Sequence, residues 1–196
     1  MNFKKQNLIF NIIFILIGAS FSNSEDLPYP PHSNISDLPK SALIETTKGL
    51  FEIEFEVNAA PNHVRNFEYL ALIGFYNNIR IHRKEPDFLV QMGDPRGDGK
   101  GGPGYSLLPE FSDLKHGYGS VGMARFPDQM NPQRLSSGSQ FYVTYGNARH
   151  LDGLYTLFAK VSKGMENVEK LEVGDRILSV KLNSDHKTNL KLSPDN

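Results

Sequence analysis

The run Leu50-Phe51-Glu52-Ile53-Glu54-Phe55-Glu56-Val57 places Phe51, Ile53, Phe55 and Val57 on one side and Glu52, Glu54 and Glu56 on the other. A period of two marks a strand with one dry face and one wet face. A helix would repeat its apolar positions every three or four residues. The chain must therefore build a sheet and cover one side of it. Lys48-Gly49 ahead of the run predicts a turn from an earlier strand over 42–46.

Further short strands are predicted over 79–83, 88–92, 120–124, 140–144, 156–161 and 177–182. Asn58 is a candidate cap for a first helix, with Pro61 in its first turn, Val64, Phe67 and Ala71 on one face, and Gly74 as its stop. A second helix is predicted over 165–173, with Met165, Val168 and Leu171 on its apolar face and Gly174 as its stop. Eight short strands with two helices predict a mainly β fold: a closed eight-stranded antiparallel barrel capped by two α-helices. Segment 94–104 has five glycines and two prolines in its eleven residues, so it reads as a loop, as does 126–138.

The ends differ in kind. Lys4 and Lys5 precede an apolar run over 8–18 interrupted only by Asn11, and small residues follow, so 1–24 is expected to be a signal peptide. Ser20, Ser22 and Ser24 are all acceptable cleavage points, and an uncleaved N-terminal anchor is the alternative. Residues 25–40 carry four prolines and read as a linker, 41–183 as the folded domain, and 184–196 as a polar tail. Losing 1–24 leaves 19 basic against 22 acidic residues, a net charge of −3, so no nucleic-acid partner is expected. The chain has no cysteine, which rules out disulfides and lipid-modified cysteines. Export to a periplasm or secretion is expected, with no stable membrane association after cleavage.

The side chains that carry chemistry lie in IHRKEPDFLVQMGDP (81–95), MAR (123–125), GSQFYVT (138–144) and HLDGLYTLFAKV (150–161). They offer one arginine, two glutamines, aromatics and aliphatics, but no acid–base pair and no nucleophile with a partner. His82, His116, His150 and Asp152 lack metal-ligand spacing, so no metal is expected. Arg83 suits either a fixed cationic donor or a surface ion pair, and Phe88 either a pocket wall or the core. Alternation puts Gln140 and Tyr142 on one strand face and Phe141 on the other. A buried glutamine there needs a partner, which a substrate backbone or an internal hydrogen bond would supply equally well. Such a set can grip an apolar group and press a donor against it without breaking a covalent bond.

In order, spacing and residue type these four segments resemble the cyclophilin-type peptidyl-prolyl cis-trans isomerases, and the likeness runs from about residue 42 to 182. The resemblance implies that Arg83 is catalytic and that Phe88, Leu89, Gln91, Ala124, Arg125, Gln140, Tyr142, His150, Leu151 and Tyr155 contact substrate. It also implies that the glycine-rich loop over 98–103 lies beside a flanking-residue pocket. It implies proline-containing polypeptides as partners, a monomer, no cofactor and a role in protein folding. Positions depart from the family pattern: His150 stands for tryptophan, Tyr142 for phenylalanine, Tyr155 for histidine and Arg125 for asparagine. Weak cyclosporin binding is expected from His150, and a hydroxyl near the proline pocket from Tyr142. Met92 stands for a glycine, and the 126–138 loop is longer than in compact members. A proline-peptide-binding chaperone or adaptor with little turnover is the alternative function.

Overall fold

The computed structural model describes residues 34–183. The predicted leader, most of the linker and the tail lie outside the described residues. In chain order the elements are β1 (Ser41–Thr46), β2 (Gly49–Phe55), α1 (Pro61–Leu72), β3 (Arg83–Glu85), β4 (Leu89–Met92), β5 (Ser106–Leu107), β6 (Ser120–Met123), β7 (Ser136–Ser137), β8 (Phe141–Thr144), β9 (Leu157–Lys163), α2 (Met165–Glu169) and β10 (Ile177–Asn183). Eight strands form one antiparallel sheet in the order β10-β1-β2-β9-β6-β8-β4-β3, while β5 pairs with β7 apart from it. The sheet curls far enough to bring the chain ahead of β3 against the chain ahead of β10. There Arg80 and Arg176 form an isolated antiparallel bridge. Ile81 N–H donates to Asp175 O at 2.7 Å and Ile177 N–H to Ile79 O at 2.8 Å.

Alternation along each strand decides what lies inside the curl. Ile53, Phe55, Val90, Met92, Val121, Phe141, Val143 and Phe158 join one buried core, and Leu38, at the end of the proline-rich segment, packs into it too. The helix α1 lays His63, Val64, Phe67, Leu70 and Ala71 onto this core. Phe67 is the hub: its ring centroid lies 4.9 Å from Tyr76, 5.5 Å from Phe55 and 5.6 Å from both Phe141 and Phe158. Because Phe141 is pinned from inside, its neighbours Gln140 and Tyr142 are held facing outward.

Several expected boundaries move. Asn58 does not cap α1; Ala60 sits at the N-cap with no side-chain bond. The Glu110 carboxylate does the work from a distant loop, accepting the N–H groups of Asn62 at 3.1 Å and His63 at 3.0 Å. Free N–H groups at a helix start accept any well-placed carboxylate, local or not. The strand expected over 79–83 pairs only from Arg83 on, because Ile79 and Ile81 are core residues tied to the β10 approach instead. The helix α2 stops at Glu169, short of Leu171: Leu171 N–H turns back to Val168 O at 3.1 Å, and Glu172 N–H goes to the Asp175 carboxylate at 2.7 Å.

Candidate active site

The outer face of β3, β4, β8 and β6 carries the expected residues in one row. Arg83 pairs across the ladder with Gln91, Gln91 with Tyr142, and Tyr142 with Gly122. Directly paired residues share a face, so their side chains stand side by side. Leu89 lies two residues before Gln91 on the same face. Gln140 and Ala124 flank the row, and Ala124 N–H donates to Gln140 O at 2.9 Å.

A chain of hydrogen bonds fixes the polar members. Arg83 donates from Nη1 to Gln91 Oε1 at 3.1 Å, Gln91 Nε2 to Gln140 Oε1 at 2.9 Å, and Gln140 Nε2 to Gly101 O at 2.7 Å. Arginine can only donate, so each amide downstream has one orientation consistent with its neighbours. Both glutamines are thereby spent on internal partners as well as facing the groove. Arg83 also donates from Nε to Glu85 Oε1 at 3.2 Å, while Nη2 makes no hydrogen bond to a described residue; the side chain is 45% exposed. The guanidinium is held from two sides with its free N–H groups presented outward.

Gly101 reaches this chain because the glycine-rich loop is folded around Asp94. The buried Asp94 carboxylate accepts N–H groups from Arg96 at 2.8 Å, Asp98 at 3.0 Å and Gly99 at 2.6 Å. Burial alone would raise its pKa, but these donors hold it below the ordinary carboxylate value. A β-carbon on Gly101 would collide with this same carboxylate, which is why the loop needs glycine there.

Beside the row lies a second apolar cluster, separate from the main core. Leu89, Ala124, Tyr142, Ala148 and Leu151 are buried in it, with Phe88 and Tyr155 packed against them. Its roof is the turn Arg149–Leu151, where His150 is exposed and sets its ring, tilted by 32°, with its centroid 5.2 Å from that of Phe88. Arg125 does not point a free cation into the groove. Its side chain, only 5% exposed, lies 4.5 Å over the Tyr155 ring and binds Leu154 O at 3.0 Å and Asp128 at 2.6 Å. Asp128 in turn takes Arg134 at 2.7 Å, so Arg125 fastens the 126–138 loop to the site. That loop and the glycine-rich loop enclose a groove of about 590 Å³ lined in part by Gln91, Gln140, Ala124, Phe126, Met130 and Leu135.

The expected hydroxyl at the pocket is turned away. The Tyr142 ring lies across Gly122, where any β-carbon would strike it, and its hydroxyl meets His116 Nε2 at 2.8 Å. Sequence reasoning weighed His116 and Asp152 only as metal ligands and passed over Glu110. One signal was available: a tyrosine on a buried strand needs a partner for its hydroxyl.

The arrangement offers a buried apolar cluster beside an open groove, an edge of amides and one anchored guanidinium, with no acid–base pair between them. It suits rotation about a bond better than its cleavage.

The comparisons agree. The family model described as cyclophilin type peptidyl-prolyl cis-trans isomerase/CLD matches residues 42–191. A peptidyl-prolyl cis-trans isomerase of Synechococcus elongatus is 40% identical over 146 residues, covering 74% of this chain and 97% of that protein. The isomerase B of Bacillus subtilis is 38% identical over 67% of this chain and 90% of its own length. Among solved structures, a cyclophilin type isomerase of Cryptosporidium parvum superposes with a TM-score of 0.68 at 27% identity, over 76% of this chain and 99% of its own.

Proposed function

This chain belongs to the cyclophilin-type peptidyl-prolyl cis-trans isomerases and catalyses rotation about X–Pro bonds, and we propose that the outer face of β3, β4, β8 and β6 is where it does so. The observation that carries this reading is the anchored Arg83 beside the apolar Leu89–Tyr142–Leu151 cluster. A cyclophilin type isomerase of Cryptosporidium parvum was crystallised in the presence of the dipeptide Ala-Pro, which supports proline-containing peptides as the ligand of this face.

Amide resonance puts a barrier of about 18–20 kcal/mol on the rotation, which takes roughly tens to hundreds of seconds unaided. In the twisted state the proline nitrogen regains its lone pair. Arg83 stabilises that state more than the planar one by donating from its free N–H groups toward the nitrogen. Phe88, Leu89, Tyr142 and Leu151 hold the proline ring. Gln91, Gln140 and the Ala124 backbone hold the flanking peptide. His150 and Tyr155 complete the rim, and Arg125 contributes through the loop it fastens. No proton moves and no cofactor is called for.

The same reading makes the protein an exported monomer that speeds folding of proline-containing clients, with 1–24 as its cleaved leader. It also takes the Arg80–Arg176 seam as closure of the eight strands into a barrel. The decisive experiment is refolding of a client limited by a cis proline. Catalytic amounts of the 41–183 domain should accelerate the slow phase. Binding to the client without acceleration would favour the adaptor alternative. Mass measurement of the protein from its native host should show loss of about two dozen residues, the length of a typical leader.

A further inference from the structure

We infer that Asp152, His116 and Tyr142 form a hydrogen-bond relay that sets the tilt of the Tyr142 ring and so positions the apolar cluster against which the proline ring packs. The inference rests on that face being the site of isomerisation. His116 is fully buried at its side chain and lies between the other two. Its backbone N–H donates to Asp152 Oδ1 at 2.7 Å, and its Nδ1 lies 3.1 Å from the same oxygen. A carboxylate only accepts, so the ring proton sits on Nδ1 and Nε2 is left with a bare lone pair. Tyr142 must then donate its O–H to Nε2. The two rings stack with centroids 6.0 Å apart. On its other side Tyr142 meets the edge of Tyr155 at 6.0 Å. Beneath it lies Gly122, which has no side chain to stop the ring from sliding. The hydroxyl bond is therefore what fixes the ring along that direction.

The relay works only while His116 is neutral. A proton on Nε2 would turn that nitrogen into a donor and force the Tyr142 O–H to find another acceptor in a site where Tyr142 is 2% exposed. The charged and titratable groups facing His116 are Asp152, which favours its protonation, and His150, which opposes it. Arg149 reaches it through Asp152 at 3.4 Å. Burial outweighs Asp152 and holds the His116 pKa below its ordinary value of 6.5. Isomerase activity should therefore be full at neutral pH and fall as pH drops below that value, without unfolding.

The test measures cis-trans exchange on an Ala-Pro-Phe peptide across pH for wild type, His116→Gln, His116→Ala, Tyr142→Phe and the double variant His116→Ala with Tyr142→Phe, each checked for folding. Wild-type catalysis at neutral pH comes first; its absence would overturn the proposed function, whatever the variants do. Given catalysis, His116→Gln should lose the acid limb, and His116→Ala should lower kcat/KM by roughly tenfold, mostly through KM. In the Tyr142→Phe background the same His116→Ala change should have little further effect. Imidazole nitrogen NMR of the wild type, which needs no activity, should show the Nδ1–H tautomer. An acid limb that survives His116→Gln, losses from the two single changes that simply multiply, or an Nε2–H tautomer would each overturn the relay.

Discussion

The strands β4 and β8 have two faces built to the same dryness for different ends. On the inner face Val90, Met92, Phe141 and Val143 are 0% exposed; on the outer face Leu89, Gln91, Gln140 and Tyr142 are 3%, 9%, 4% and 2% exposed. Burial does not separate the core from the site. The nature of the contacts does. The inner face is carbon against carbon around Phe67, where shape and volume decide the energy. On the outer face the amides and the tyrosine hydroxyl each have a directed partner, and a change there leaves a donor or acceptor stranded. Strand alternation thus lets one stretch of chain carry stability on one side and chemistry on the other.

The comparison breaks most visibly at its inner anchor. Phe67→Ala removes the ring that touches four others and should cost about 3–5 kcal/mol of unfolding free energy. Chemical denaturation reads that loss, and kcat/KM per folded molecule should change little. A collapse of activity in the folded variant would mean the faces are not separable. On the outer face, Gln91→Leu strands Gln140 Oε1 and releases one hold on Arg83. It should reduce kcat/KM by roughly tenfold and stability by about 1–3 kcal/mol, seen by peptide exchange and denaturation on the same sample.

The smallest effect lies at the start of α1, which belongs to neither face. Burial would raise the Glu110 pKa, but the His63 ring at 2.6 Å and the helix N–H groups hold it below its ordinary 4.5. A depressed carboxyl stabilises the fold fully above that value, and the benefit is lost as pH falls through the folded-state pKa. Glu110→Gln should therefore flatten the acid side of the stability curve, by on the order of 1 kcal/mol, leaving neutral-pH exchange rates alone. An unchanged acid slope would show that the carboxylate does not hold the helix.

Much of this was legible in the sequence, and the misses share a cause. Alternation placed β2, strands β1, β4, β6, β8, β9 and β10 lie where short strands were expected, and Gly74 stopped α1 as expected, with Gly74 N–H bonded to Ala71 O at 3.0 Å. Strand period put Gln140 and Tyr142 on one face, the resemblance pointed to Arg83 and Gln91, and the register that sets Arg83, Gln91 and Tyr142 side by side had no sequence signal. Pairs distant in sequence were invisible: Glu110 lies 47 residues from His63, and His116 lies 26 from Tyr142. The strands β5 and β7 are two residues each, Ser106–Leu107 and Ser136–Ser137, too short for any period to show. Ile79 and Ile81 read as a strand because burial gives the same pattern whether or not a ladder follows. Arg125 lines the groove, but the partners that hold it there, Asp128, Leu154 and Tyr155, meet it only in space and left no signal in the sequence.

The measurement closest to the central claim is cis-trans exchange on an Ala-Pro-Phe peptide with wild type beside Arg83→Ala. Arg83 is half exposed on an edge strand, but its loss leaves Gln91 Oε1 without a donor, so the variant should stay folded and lose about 1 kcal/mol of stability. Its kcat/KM should fall by roughly 10²–10³, the loss typical of removing one preorganised donor from a transition state. A folded Arg83→Ala protein that catalyses as fast as wild type would contradict the account.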